Sequence, residues 1–316
     1  MKILFAGTPE IALPCLELLY REGYISGVLT SPDASKGRGR ILVPSPVKAR
    51  ALELGLPVFT PQRLGKEARE EIAGIDADLL AVVAYGKIFG PRFLELFPLG
   101  GINLHPSLLP QHRGPAPLPF TILNGDREWG LTVQKIALET DAGDILLQKR
   151  HSLEGTETTG ELTAKAASEG SEAMLKAVRG LEDGSLQAVP QRHQDASYSR
   201  LLSKEDGIID WHQPAEHISR MVRAFNPWPG AYTSFQNQKL TIWEAQVIPE
   251  NSGADSGKVT AVDRKRGILI QTGEGLLAVR ALQLQGKKHL PWQSFVNGVR
   301  GIEGSILGGT NEELRR

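Results

Sequence analysis

Ile3-Leu4-Phe5-Ala6-Gly7-Thr8-Pro9, with the apolar-periodic stretch from Ile11 to Leu19 behind it, is the part of the sequence that decides the fold. Residues 2–7 read as a buried strand, Thr8-Pro9 as a tight turn, and the stretch closing at Gly23 as a helix. Beyond it, apolar runs at 24–30, 57–60, 79–84 and 101–105 alternate with helix-length segments near 47–54, 65–73 and 90–97. That alternation predicts right-handed crossovers and a mostly parallel, Rossmann-like α/β sheet with helices on both faces. Strands at 129–137 and 144–149 and a long helix at 159–180 extend it. In open sheets of this class ligands gather outside the carboxyl ends of the strands, which directs attention to the ends of 79–84 and 101–105.

The character changes after residue 190. Short strands at 231–235, 239–245, 258–262, 268–272 and 276–284, separated by Gly, Asn and Asp turns, predict a small all-β unit, an OB-like barrel or a sandwich, preceded by a helix at 214–224. The expected division is a first domain over 1–190, a linker over 191–204 that starts with Gln191-Arg192-His193-Gln194-Asp195, and a β-barrel domain over 205–316. A length of 316 residues suits two domains.

With 41% hydrophobic and 23% charged residues, a disordered or fibrous chain is excluded. Lys plus Arg and Asp plus Glu both number 36, so no global field draws in nucleic acid or anionic membrane, and an anionic partner must be met by a local patch. The single cysteine, Cys15, leaves no disulfide framework or thiol cluster and suits a reducing cytoplasm. The apolar start breaks at Gly7, far short of a signal-peptide core or membrane span. No metal is expected: no His-x₃-His pair occurs among the seven histidines, and His212 and His217 are five apart. Both read as surface or interdomain residues, and His112 as an exposed loop histidine.

On the strand Gly101-Ile102-Asn103-Leu104-His105, positions 103 and 105 project to one face, so an amide and an imidazole point together and can donate to one oxygen. A polar pair ending an apolar strand is costly unless partnered or used; a solvated strand end is the plain alternative. Downstream, Asp141 lies in an acidic loop whose Gly143 marks a turn or a close backbone approach. Its carboxylate could orient His105 and stabilise its charged form, or simply cap a strand.

The run from Asn103 to Pro110, followed by Arg113-Gly114 and by Asp141-Ala142-Gly143-Asp144-Ile145-Leu146, resembles the formyltransferases that use 10-formyltetrahydrofolate. Gly7-Thr8-Pro9, Pro32-Asp33, Gly37-Arg38-Gly39, Val83-Ala84-Tyr85-Gly86 and Phe225-Asn226-Pro227-Trp228-Pro229-Gly230 extend the resemblance over essentially the whole chain. They point to the branch of that family acting on initiator methionyl-tRNA. The resemblance implies a catalytic trio of Asn103, His105 and Asp141, a folate site lined by Ser107, Leu108, Leu109 and Pro110, and main-chain groups near Tyr85 and Gly86 that read the pterin edge. It further implies a basic finger that meets the acceptor end of tRNA through Lys36, Arg38 and Arg40.

The segment 31–50 is indeed long and basic for a strand-to-helix loop. In the second domain Arg264-Lys265-Arg266 and Lys287-Lys288 follow strands and could form a basic face for the sugar–phosphate backbone. The expectation is therefore a cytoplasmic, monomeric enzyme making N-formylmethionyl-tRNA for translation initiation, with a tetrahydrofolate derivative and initiator methionyl-tRNA as partners and no membrane. The alternatives are a formyltransferase for an amino sugar nucleotide and a non-catalytic RNA-binding protein on the same scaffold. A nucleotide-dependent oxidoreductase would need Gly-x-Gly-x-x-Gly where this chain has Ala6-Gly7-Thr8-Pro9.

Overall fold

The computed structural model describes residues 1–36 and 41–308, the side chain of Lys36 excepted. Residues 1–117, 128–152 and 162–200 form one compact unit, and residues 118–127, 153–161 and 201–316 a second.

The first unit is built on a seven-stranded sheet. Its chain order is β1 (Ile3–Gly7), α1 (Leu13–Arg21), β2 (Ile25–Leu29), a hairpin of β3 (Ala34–Lys36) and β4 (Ile41–Val43), α2 (Pro46–Glu53), β5 (Val58–Phe59), α3 (Lys66–Ala73), β6 (Leu79–Val83), α4 (Pro91–Leu94) and β7 (Gly101–His105). After α5 (Pro117–Asn124) come β8 (Glu128–Lys135), β9 (Ile145–Ser152) and α6 (Thr159–Glu182). The strand order is β5-β2-β1-β6-β7-β8-β9; the first five are parallel, and β8 and β9 run antiparallel. β1 and β6 are buried on both faces, which is why their sequences are continuous apolar runs and not alternating ones. Each Leu or Phe buried there contributes about 1.5–3 kcal/mol.

The chain leaves β1 toward β2 and β5, then returns to β6 on the other side of β1, so the order reverses between β1 and β6. Their ends pair Gly7 with Val83, and a Cβ on Gly7 would stand 3.0 Å from the Val83 carbonyl. β7 alternates as its spacing predicts. Leu104 faces α6, where Gly170 leaves room for it (a Cβ at 170 would lie 2.5 Å from Leu104), and Asn103 and His105 face the other way.

The basic segment 31–50 contains a hairpin that the sequence reading missed, pairing Ala34 with Val43 and Lys36 with Ile41. Three-residue strands are too short to show an alternating pattern. The base of the hairpin is held by a 2.7 Å Thr30–Ser45 hydroxyl bond, by the Lys48–Asp33 ion pair at 2.7 Å, and by Ser45 capping α2. Arg38 and Arg40 lie outside the described residues.

In the second unit α7 (Ala215–Ala224) precedes β10 (Ala231–Phe235), β11 (Gln238–Ile248), β12 (Val259–Asp263), β13 (Gly267–Gln271), β14 (Leu276–Leu284), β15 (Leu290–Pro291) and α8 (Trp292–Gly298). The strands form one antiparallel sheet in the order β10-β11-β14-β13-β12, with β15 on β14. Residues 304–308 tie its two edges. The Val259 amide donates to the Ser305 carbonyl at 2.8 Å on β12, and the Gly308 amide donates to the Ser234 carbonyl at 3.0 Å on β10.

Residues 191–200 belong to the first unit and are not a linker, because Gln191 and Ser199 are buried and bonded there.

Candidate active site

Asn103 and His105 project from the end of β7 toward the loop that follows β8, and that loop carries Asp141. The Asp141 backbone has φ +51°, and a Cβ at Gly143 would stand 1.8 Å from the Lys135 carbonyl, so glycine is obligatory for this path. The path sets the carboxylate between the two β7 side chains. Asp141 Oδ2 is 3.6 Å from His105 Nδ1, and Asn103 Nδ2 approaches Asp141 Oδ1 at 3.5 Å.

The firm bonds to this carboxylate come from elsewhere. The Gly114 amide donates to Oδ2 at 2.8 Å and Gln134 Nε2 donates to Oδ1 at 2.9 Å. Asp141 is thus a fixed carboxylate, held by the Gly114 amide and Gln134, with its contacts to His105 and Asn103 longer.

His105 is 5% exposed and its Nε2 lies 2.9 Å from the His112 carbonyl. A carbonyl only accepts, so Nε2 carries the hydrogen and Nδ1 is left as a lone pair beside Asp141. Burial pulls the imidazole below the ordinary histidine value, and the nearby Asp141 charge works in the opposite direction. Burial thus disfavours the charged ring, and a carboxylate stands in place to stabilise it once it takes a proton.

His112 is buried, contrary to the exposed loop position expected from sequence. It has φ +55°, and this turn aims its carbonyl at His105 while its amide donates to Ser197 Oγ at 2.9 Å.

Ser107, Leu108 and Leu109 form the buried base of the loop after β7. The Ser107 hydroxyl donates to the Gln111 carbonyl at 2.6 Å, and Leu108 packs where Gly130 has no side chain. Pro110, joined to Leu109 by a cis bond, is partly exposed. The Tyr85 ring stacks on Phe89 at 5.4 Å inside the apolar cluster with Phe93 and Phe97, and burial pushes its hydroxyl up to about 12. At this strand end Ala84 and Gly86 are exposed, with φ +50° and +85°.

Arg264, Lys265 and Arg266 sit in the β12–β13 turn and Lys287 and Lys288 beyond the end of β14, all exposed and at the same end of the second unit's sheet. Arg266 is drawn back by Glu250 at 3.3 Å and Asp263 at 3.5 Å.

The strand expected at 129–137 is β8, but the sequence reading did not give its polar side chains a place in the site. β8 pairs Gln134 with Asn103 and Thr132 with His105, which puts two polar side chains on the same face as the trio. Thr132 Oγ1 donates to the Ser107 carbonyl at 2.7 Å and accepts from the Leu109 amide at 3.2 Å, fixing the loop. The signal was present as Leu131-Thr132-Val133-Gln134, polar at alternate positions of an apolar strand.

Profiles of the families described as "Formyl transferase" and "Formyl transferase, C-terminal domain" match residues 1–178 and 201–300. The methionyl-tRNA formyltransferase of Treponema denticola is 45% identical over 311 residues, covering 94% of this chain and 97% of the relative. That of Carboxydothermus hydrogenoformans is 41% identical, covering 97% and 99%. Among solved structures, the sugar 3N-formyl transferase WlaRD shares the fold at TM-score 0.66 and 19% identity, covering 91% of this chain and 99% of that one. HypX from Aquifex aeolicus, solved with tetrahydrofolic acid, does so at TM-score 0.62 and 19% identity, covering 96% and 48%.

Proposed function

The chain belongs to the formyl transferase family, and from that premise we propose that Asn103, His105 and Asp141 transfer a formyl group from 10-formyltetrahydrofolate to the free amino group of methionyl-tRNA. The observation that carries this reading is the Asp141 carboxylate, fixed by the Gly114 amide and Gln134 between an amide and a buried imidazole.

The donor supplies a formyl carbon already bonded to nitrogen. The exposed backbone positions Ala84 and Gly86 suit the hydrogen-bonding edge of a flat pterin, and the base of the loop at 107–110 its apolar ring. His105 Nδ1 takes the proton of the attacking methionyl amine, because Nε2–H is already committed to His112. The imidazolium so formed is stabilised by Asp141, donates to the oxygen on which negative charge develops, and then gives its proton to the folate nitrogen as the bond from that nitrogen to the formyl carbon breaks and tetrahydrofolate leaves. Asn103 Nδ2 is the second donor. Preorganised donors of this kind contribute ~10²–10³ in rate each.

The acceptor is the initiator tRNA, held by the basic finger with Arg38 and by the loops at 264–266 and 287–288. The product enters translation initiation in the cytoplasm, and the enzyme acts as a monomer. None of the described helices is long and apolar enough to cross a membrane.

The test is to incubate the protein and 10-formyltetrahydrofolate with methionyl-tRNA or with an amino sugar nucleotide, and to identify the product. Formylmethionine released by mild deacylation is expected. Formylation of the sugar alone, or tRNA binding without transfer, would overturn the reading.

A further inference from the structure

A buried chain of polar side chains runs behind Asp141 and ends in a guanidinium. Arg113 is fully buried, Gln134 is 2% exposed and Gln191 is 6% exposed, and all three belong to the first unit. Arg113 Nε and Nη2 donate to Gln191 Oε1 at 3.1 and 2.8 Å. The two hydrogens of Gln191 Nε2 are shared among three acceptors, the Gly143 and Asp141 carbonyls at 2.7 and 2.9 Å and Gln134 Oε1 at 3.2 Å. Gln134 Nε2 donates to Asp141 Oδ1 at 2.9 Å.

The direction of this chain is dictated by chemistry. A glutamine amide presents an acceptor at one corner and donors at the other, and by itself it can sit either way round. A guanidinium has donors only. Facing Arg113, Gln191 must offer its oxygen, which turns its nitrogen toward Gln134 and the Asp141 loop. Gln134 must then accept with its oxygen, which leaves its nitrogen to donate to the carboxylate. Every link is donor to acceptor, from Arg113 outward to Asp141. The far side of the guanidinium is anchored as well, with Nη1 3.2 Å from the Tyr198 hydroxyl and 3.4 Å from Glu139 Oε1.

We infer that Arg113, Gln191 and Gln134 are positioning residues for the formyl transfer: the guanidinium sets the polarity of two buried amides, and the second amide holds the Asp141 carboxylate in line with His105 and Asn103. The inference rests on the role of Asp141 proposed above. None of the three touches substrate. Gln191 also fixes the backbone of the loop through the Asp141 and Gly143 carbonyls, so one side chain governs both where the carboxylate sits and which way it is held.

The experiment is a double-mutant cycle on the full chain, reading kcat, both KM values and the unfolding midpoint. Gln134→Met keeps the volume and removes the donor. Gln191→Glu keeps the acceptor facing Arg113 and abolishes donation to Gln134. Each variant is expected to lower kcat about 10- to 100-fold, as for loss of a hydrogen bond to a charged group, with both KM values within about twofold of wild type. The double variant is expected to be little slower than the slower single variant, since both break one chain. Fully multiplicative losses, or wild-type kcat in a Gln191→Glu protein with only a lower unfolding midpoint, would overturn the relay. If one variant does not fold, the split between kcat and KM in the other decides. Asp141→Asn is measured alongside. Full activity there refutes the role of Asp141 itself, whereas a slow Asp141→Asn enzyme beside a normal Gln191→Glu enzyme refutes the relay alone.

Discussion

His105 stands between two acceptors, the His112 carbonyl and the Asp141 carboxylate, yet burial holds its pKa below the ordinary histidine value. The unfolded chain binds this proton near the ordinary histidine value of about 6.5, and the native state only at lower pH. As pH falls through that window the unfolded state binds more protons, so stability is present above it and lost below it. Denaturation midpoints of the wild type should therefore fall more steeply below pH of about 6.5 than those of a His105→Gln variant. Parallel curves would mean that His105 titrates in the native state as it does in the unfolded chain. At this scale the sequence was informative where side-chain period alone sufficed, because alternation put Asn103 and His105 on one face. It put Gln191 at the start of a linker, because its neighbours Gln134 and Asp141 are 57 and 50 residues away along the chain.

Among the elements, the loop after β8 is the most demanding. It brings residue 143 against the Lys135 carbonyl, so Gly143→Ala forces the loop outward and carries Asp141 with it. A loss of about 2 kcal/mol or more in stability is expected, as for other substitutions that force a steric clash. kcat should fall more than about tenfold, because transfer tolerates little misplacement of its groups. A Gly143→Ala enzyme with wild-type kcat and midpoint would show that the loop has another path. The parallel strands were legible as apolar runs between helices, and Gly143 as a point of close approach. The β3–β4 hairpin was not, because its strands are short and its side chains at 41 and 42 are exposed.

Across the whole molecule, the interleaving of the two units escaped the sequence reading. Residues 118–127 and 153–161 pack with the second unit through bonds such as Arg220 Nε to the Leu123 carbonyl at 3.1 Å and Thr159 Oγ1 to the Ala224 carbonyl at 2.6 Å. Contacts 97 and 65 residues apart leave no trace in local pattern, so a boundary near 190 was all that composition could suggest.

With zero formal net charge, the molecule must meet nucleic acid through local basic loops. Raising salt from about 50 to 200 mM should raise KM steeply for methionyl-tRNA and only slightly for the folate donor, because the nucleic acid releases the counterions. Lys287→Glu with Lys288→Glu should flatten the tRNA slope, and equal slopes for the two substrates would remove these loops from recognition.

Single-turnover formylation of methionyl-tRNA at saturating donor isolates the step assigned to Asn103, His105 and Asp141. Asn103→Ala, His105→Ala and Asp141→Ala should each slow that step by ~10²-fold or more while tRNA affinity stays near wild type. Losses combined in pairs should fall short of the product of the singles. Any one of the three with a near-normal single-turnover rate would contradict the account.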